Sequence, residues 1–178
     1  MSDSEKYIEP GKQTLITSDI KERVLDFKGT TIDIIREILD TLRDFRMERF
    51  NKEIFRKRTA NEIIKSGFVT GCTDYALVFI VLSRACGIPV KYVETIDKEW
   101  LINGGNSFTG HIYSKIYDES KNEWIWVDPM RGRIGDNLED FQRVIYKEGL
   151  DSWDIGIFDF ESLEKVFLEF RDNWLKAH

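Results

Sequence analysis

Hydrophobic positions follow three regimes along the chain. In the first, Ile34, Ile38, Leu42, Phe45, Phe50 and Ile54 recur at steps of three, four and five residues with charge between them. That spacing predicts a long amphipathic helix starting at Thr30. Ser18-Asp19 opens a shorter helix to about Phe27, and Thr59-Ala-Asn-Glu62 reads as a capping box that starts another, ending at Ser66-Gly67. Residues 1–17 have no sustained period and carry a Pro10-Gly11 turn signal, so a mobile or extended lead-in is expected. In the second regime, Thr73 to Cys86, only Thr73, Asp74, Ser83 and Arg84 are polar. A helix apolar on nearly every side belongs in the interior. Gly87 can adopt its left-handed cap, and Pro89 prevents continuation. The third regime has period two and predicts strands over Val90–Ile96, His111–Tyr117 and Glu123–Val127. Helix is expected to return at Leu138, Phe141, Val144 and Ile145, and then in a final helix with Leu163, Val166, Phe167, Phe170 and Trp174 on one stripe.

Helices, then strands, then helices predict an α+β domain in which a buried helix packs on an antiparallel sheet, with N- and C-terminal helices around it. A single domain is expected over 1–178: lead-in 1–17, helical 18–66, core 67–135 and C-terminal helices 136–178. With 178 residues, 42% of them hydrophobic, the chain can build a core of its own. A net charge of −6 argues against nucleic acid or an anionic membrane as partner. One stretch runs the other way: residues 43–58 hold seven basic side chains against three acidic ones, read as a solvated face of the long helix. The first residues lack a basic, apolar leader pattern, and the longest apolar run, Tyr75–Leu82, falls short of the roughly 20 residues of a membrane span. A cytoplasmic protein is expected.

Scarcity narrows the chemistry. The chain has two cysteines, Cys72 and Cys86, and two histidines, His111 and His178, which argues against zinc ribbons, His-rich metal sites and disulfide scaffolds. Cys72 lies in Thr-Gly-Cys-Thr-Asp at the start of the buried helix, where free N–H groups and the macrodipole favour a thiolate. Gly71 before it lets a substrate approach the backbone closely. Cys86, in the apolar run, reads as core. A helix between them separates the two by about 21 Å, too far for a disulfide. His178 sits in a fraying terminus. His111 opens one strand and Asp128 ends the next. A four-residue loop over Asp118–Lys121 would pair Tyr117 with Asn122 and set His111 directly across from Asp128 on the same face. Taken singly, Asp128 could be a turn residue before Pro129 and His111 a polar strand end. Together with Cys72 they form a candidate Cys-His-Asp nucleophilic triad: sulfur attacks a carbonyl, the imidazolium protonates the leaving amine, and the carboxylate holds the ring. A metal site on the same three residues is disfavoured because no close ligand pair anchors it. No metal or cofactor is expected.

Three ordered blocks resemble the transglutaminase-like superfamily, a branch of papain-like cysteine enzymes, over about residues 58–130. They are Arg58-Thr-Ala-Asn-Glu-Ile-Ile-Lys-Ser-Gly-Phe-Val-Thr-Gly-Cys72-Thr-Asp-Tyr-Ala, then Arg84-Ala-Cys-Gly-Ile-Pro-Val-Lys-Tyr-Val, then Gly-His111-Ile-Tyr with Trp-Ile-Trp-Val-Asp128-Pro. The resemblance implies Cys72 as nucleophile, His111 as general acid and base, and Asp128 as the residue that orients it. It implies acyl-transfer chemistry on amide bonds of a peptide or protein substrate. Hydrolysis is the expected outcome, and glutamine cross-linking or a silent binding domain of the same fold are the alternatives. Tyr113 departs from the Trp that many members carry two residues after the histidine. The backbone N–H of Cys72 is one expected oxyanion donor. The loop Asn103–Gly110 before His111 is read as either a lid or a plain flexible turn.

Overall fold

The computed structural model describes residues 3–135 and 142–178. Its first half contains helices α1 (Asp3–Lys6), α2 (Ser18–Arg23) and α3 (Thr31–Leu42), then strand β1 (Arg46–Met47), helix α4 (Ala60–Ser66), strand β2 (Phe68–Val69) and helix α5 (Cys72–Ala85). The second half continues with β3 (Val90–Asp97), α6 (Lys98–Asn103), β4 (Gly110–Asp118), β5 (Glu123–Asp128), β6 (Arg133–Ile134), β7 (Arg143–Gly149) and α7 (Phe160–Ala177). Five strands form one antiparallel sheet in the order β6-β5-β4-β3-β7.

Helix α5 is buried from Thr73 to Arg84 except at half-buried Tyr75. It packs on β3 and β4 on one side and on α2, α3 and α4 on the other. The sheet meets it with one stripe from three strands: Val90, Tyr92 and Ile96, then Ile112 and Ile116, then Ile125 and Val127. The helix ends as its sequence requires. Gly87 takes φ 80° and donates to the Arg84 carbonyl at 2.9 Å, while Ile88 N–H reaches the Ser83 carbonyl at 3.0 Å. The capping box of α4 is present, with Thr59 Oγ1 accepting from Glu62 N–H and Glu62 accepting from Thr59 N–H at 2.7 Å. The α+β arrangement with flanking helices is therefore the observed fold.

Three expectations fail, each for a physical reason. The long helix from Thr30 stops at Leu42, and its buried stripe is Ile35, Ile38, Leu39 and Leu42. Beyond it Arg46–Met47 pairs in parallel with Phe68–Val69, and residues 50–58 are irregular. The five-residue step from Phe45 to Phe50 breaks the helical period, so the basic stretch 43–58 is not a helix face. Val144 and Ile145 lie on β7 and not on a helix, because β3 offers that segment a ladder; Leu138 and Phe141 of the same expected helix fall outside the described residues. The lead-in is anchored, not loose. Tyr7, Gln13 and Thr14 are buried, the Tyr7 carbonyl accepts from Val90 N–H at 3.0 Å, and the Gln13 carbonyl accepts from Ala60 N–H at 2.9 Å.

Buried Arg84, near the end of α5, is what holds the lead-in. Its guanidinium donates to the carbonyls of Tyr7 (2.9 Å), Val90 (2.7 Å) and Leu150 (2.9 Å) and to Thr14 Oγ1 (3.0 Å). The charge is compensated at longer range by Asp151 and Asp154. Among the described residues no helix is long and apolar enough to cross a membrane.

Arg84→Ala removes four hydrogen bonds at buried acceptors, of which the Tyr7 carbonyl keeps Val90 N–H and Thr14 Oγ1 keeps Gly11 N–H, and it takes a countercharge from Asp151. It should cost about 3–5 kcal/mol in urea denaturation and should open residues 7–14 to limited proteolysis. A loss below about 1 kcal/mol would show that the lead-in is held by something else.

Candidate active site

Cys72 begins α5 at the edge of the core, half-buried, with its backbone turned by extended Gly71. Among the described residues nothing lies within 4 Å of where a Gly71 side chain would start, so the peptide before the sulfur is open to an incoming chain. The loop is held from behind by buried Asp74. Its carboxylate accepts from Thr70 N–H (2.8 Å), Thr70 Oγ1 (2.9 Å) and Arg58 Nη2 (2.6 Å). Asp74 therefore binds the preceding turn and Arg58. Arg58 in turn donates to the Phe68 carbonyl at 3.3 Å and lies over the Phe68 ring.

His111 and Asp128 are both buried, with His111 Nε2 2.9 Å from Asp128 Oδ2. The register that brings them together differs from the expected one. Asp118 pairs with Glu123 and Ser114 with Val127, so the four-residue turn is shifted by one residue to 119–122 and His111 lies diagonal to Asp128 rather than opposite. The loop still has an even number of residues, which keeps both side chains on one face. Asp128 is also the turn residue its Asp-Pro context suggests: its Oδ1 accepts Arg131 N–H at 3.1 Å, while Arg131 Nη1 approaches Oδ2 at 3.3 Å. Both roles are filled by one carboxylate. Tyr113 packs edge-on against the His111 ring, centroids 4.8 Å apart, and against Trp126, which makes it an aromatic brace for the imidazole. The His111 carbonyl is fixed by Thr95 Oγ1 at 2.8 Å.

Cys72 and His111 line one cavity of about 380 Å³. Nε2 of the ring is engaged by Asp128, and Cys72 is among the groups that favour the protonated ring. Burial opposes charge on His111. The Asp128 hydrogen bond and the electrostatic influence of Cys72 and Asp128 outweigh it and carry the pKa up to about 9. Asp128 shifts the other way: burial would raise its pKa, but the His111 hydrogen bond and charge and the Arg131 contacts lower it. Cys86 sits far along the helix as a free thiol whose pKa is pushed up to about 11 by burial and by Glu37.

The cavity also contains residues that no motif announced. Arg56, in a left-handed conformation (φ 60°), is buried and paired with Glu94. Glu94 also accepts from Tyr92 Oη (2.7 Å) and Tyr146 Oη (3.0 Å), and Arg56 donates to Ser152 Oγ (2.9 Å). Tyr146 reaches Glu94 through a β-bulge: Glu94 pairs with Lys147 and Thr95 with Ile145, leaving Tyr146 as the extra residue. The Arg56 carbonyl is held by Gln13 Nε2 (2.9 Å) and Trp153 Nε1 (2.7 Å). One signal was legible: an acid on the buried stripe of a strand, as Glu94 is, requires a buried cation. Phe108, from the loop before β4, packs against Trp100, Phe160 and Phe167 and forms a wall of the cavity. Among the described residues no group of three or more His, Cys, Asp or Glu side chains is placed to hold a metal ion.

The sequence model of the transglutaminase-like superfamily matches residues 18–129, more than half of the chain, a span that includes Cys72, His111 and Asp128. The match begins 40 residues before the Arg58 block that carried the resemblance. Comparison with curated proteins finds no match. Among solved structures, the fold is similar to that of a candidate cysteine protease from Cytophaga hutchinsonii, with TM-score 0.65 and 18% identity. That match covers 88% of this chain and 50% of the other, so this chain spans about half the length of that protein. LapG of Legionella pneumophila is similar with TM-score 0.56 and 12% identity, over 85% of this chain and 83% of LapG.

By NMR titration His111 should show a pKa near 9 in the native protein, and Asp128→Asn should bring it down towards or below the ordinary 6.5. A native value near 6.5 would contradict the pairing. Linkage sets a matching stability window. The raised His111 pKa contributes stability that is complete below about 6.5 and lost as pH rises through about 9; the lowered Asp128 pKa contributes stability present above about 3.8 and lost as pH falls below it. Wild type should therefore exceed Asp128→Asn most in stability between about pH 4 and pH 6.5, with the difference shrinking as pH rises from 6.5 towards 9 and as it falls below about 4.

Proposed function

The chain belongs to the transglutaminase-like superfamily, and from that premise we propose that it is a cysteine acyl-transfer enzyme that hydrolyses amide bonds of peptides or proteins. The observation that carries this reading is the 2.9 Å contact between His111 Nε2 and Asp128, made at a ring that lines one cavity with Cys72.

In this reading the Cys72 sulfur attacks the carbonyl carbon, and the developing oxyanion meets the backbone N–H of Cys72, which no preceding helical turn occupies. Collapse breaks the C–N bond, and the proton on the His111 imidazolium goes to the departing amine. A pKa near 9 keeps that proton on the ring at neutral pH, ready for the step. The neutral imidazole then takes a proton from an incoming water as its oxygen attacks the thioester. The C–S bond breaks, and a carboxylic acid leaves. Asp128 keeps Nε2 occupied, so the proton that moves is at Nδ1, and Tyr113 and Thr95 hold the ring and its backbone in place. The name of the Cytophaga neighbour, a candidate cysteine protease, fits a hydrolase. We place the enzyme in the cytoplasm, supported by two free cysteines that a reducing compartment preserves.

Iodoacetamide at pH 6.5 should label Cys72 well before Cys86 in the folded protein, since burial holds the Cys86 thiol protonated. Equal or reversed labelling would contradict a reactive Cys72. Incubation with glutamine-containing peptides and a primary amine, read by intact mass, should give cleaved peptide or a gain of roughly one dalton from deamidation. Amine incorporation would instead make the acceptor an amine and the enzyme a cross-linker. Cys72→Ala should abolish the product, and Asp128→Asn should lower its rate by about a hundredfold or more, both with the fold intact by circular dichroism.

A further inference from the structure

The cavity beside Cys72 has a composition that points to a substrate class, and the inference rests on the acyl-transfer reading above. Its walls carry five phenylalanines from three separate stretches: Phe50 and Phe55 from the irregular segment after β1, Phe108 from the loop before β4, and Phe160 and Phe167 from α7. The rings form one connected path, with centroids 5.3 Å apart for Phe50–Phe55, 6.1 Å for Phe55–Phe160, 6.0 Å for Phe160–Phe108 and 5.9 Å for Phe108–Phe167. These are the spacings of interlocked edge-to-face aromatics. Phe167 is buried and forms the floor, while Phe50, 56% exposed, stands at the mouth. Gly110 belongs to the same wall. A side chain there would start 2.9 Å from Phe167 Cζ and 2.7 Å from the Thr95 carbonyl, so only glycine lets β4 and Phe167 approach so closely.

The charged groups at this cavity are mutually compensated. Arg56 is paired with Glu94, both buried, and at the rim Lys52 binds Glu161 at 2.8 Å over the Phe160 ring. A charged substrate side chain would lose its hydration here and find no unpaired countercharge. A bulky apolar one would replace water against ring surfaces. A volume of about 380 Å³ lies at the small end for ligand pockets, which suits one large side chain. In a two-step reaction the acyl part stays on the sulfur while the amine leaves and water enters. A walled cavity suits the part that stays. We propose that this cavity binds a neutral, bulky apolar side chain of phenylalanine or leucine type on the acyl side of the bond attacked by Cys72, making the enzyme selective for peptides that carry one there.

Two series of dipeptidyl vinyl sulfones test this, one varying the residue next to the electrophile and one varying the residue before it, each with Phe, Leu, Gly, Asp or Lys. Labelling of Cys72 is followed by intact mass, with iodoacetamide as a reagent that has no side chain to recognise. In one series the Phe and Leu probes should label at least about tenfold faster than the Gly, Asp and Lys probes, the discrimination expected of a filled apolar pocket. Phe160→Ala and Phe50→Ala should each shrink the Phe-to-Gly rate ratio several-fold, and since Phe50 is largely exposed, a folding defect in the first variant does not remove the test. Equal rates across both series, a preference for Asp or Lys, or ratios unmoved by both variants would overturn the proposed substrate class while leaving Cys72 labelled and the acyl-transfer reading intact. If neither the probes nor iodoacetamide modify Cys72 ahead of Cys86, the reading of Cys72 as nucleophile fails, and the substrate class fails with it.

Discussion

Helix α5 has almost no side that can face water, and this constraint organises the molecule. From Thr73 to Arg84 it is enclosed by the sheet on one flank and by α2, α3 and α4 on the other. Each fully buried aliphatic or aromatic side chain contributes about 1.5–3 kcal/mol relative to exposure, so no arrangement that opens one flank competes. Enclosure also dictates where chemistry can occur. The middle of the helix is sealed, and only its two ends reach the margin of the core. The N-terminal end combines unpaired N–H groups, open backbone at Gly71 and a sulfur that is only half-buried. The C-terminal end carries Cys86, whose thiol burial keeps protonated.

Several charges that enter this interior tie loops to α5 or to the strand beside it. Arg84 gathers the lead-in, Asp74 gathers Thr70 and Arg58, and Arg56–Glu94 joins the irregular 50–58 segment to the sheet. Removing either partner from such a pair leaves an uncompensated buried charge, which makes these ties costly to break. Their geometry runs in series. Gln13 bonds the carbonyls of Arg56 and Arg58, Arg58 bonds Asp74, and Asp74 bonds the turn that delivers Cys72. Segments far from the cavity in sequence thereby set the position of its sulfur.

Local patterns in the chain were read correctly where one element's own residues decide its structure. The capping box at Thr59, the Gly87 stop, the three strands and the all-round apolar helix each need only neighbours in sequence. The readings that failed concern segments whose partner is remote. Arg46–Met47 leaves helix because Phe68–Val69 pairs with it, and Val144–Ile145 is strand because β3 has an edge to offer. The hairpin shows both sides at once. Parity of the loop was readable and kept His111 and Asp128 on one face, whereas the turn formed one residue further along the chain and set them diagonally. Of the Arg56–Glu94 cluster only the buried position of Glu94 was readable; its partners were not, because they come from an irregular segment and a bulge.

The sequence by itself determined that α5 is interior, that one cysteine sits at its start and one in its apolar run, and that a single histidine and a single carboxylate share a strand-pair face. These follow from periodicity, capping chemistry and the alternation of a pleated strand, all short-range. Only the tertiary structure decided that the Asp128 carboxylate meets Nε2 of His111, that His111 and Cys72 line one cavity, that the His111 pKa is carried up to about 9, and that phenylalanines from three stretches enclose the space beside Cys72. Those outcomes depend on distances between segments tens of residues apart and on the desolvation that packing imposes. Neither quantity is encoded in any local window of the chain.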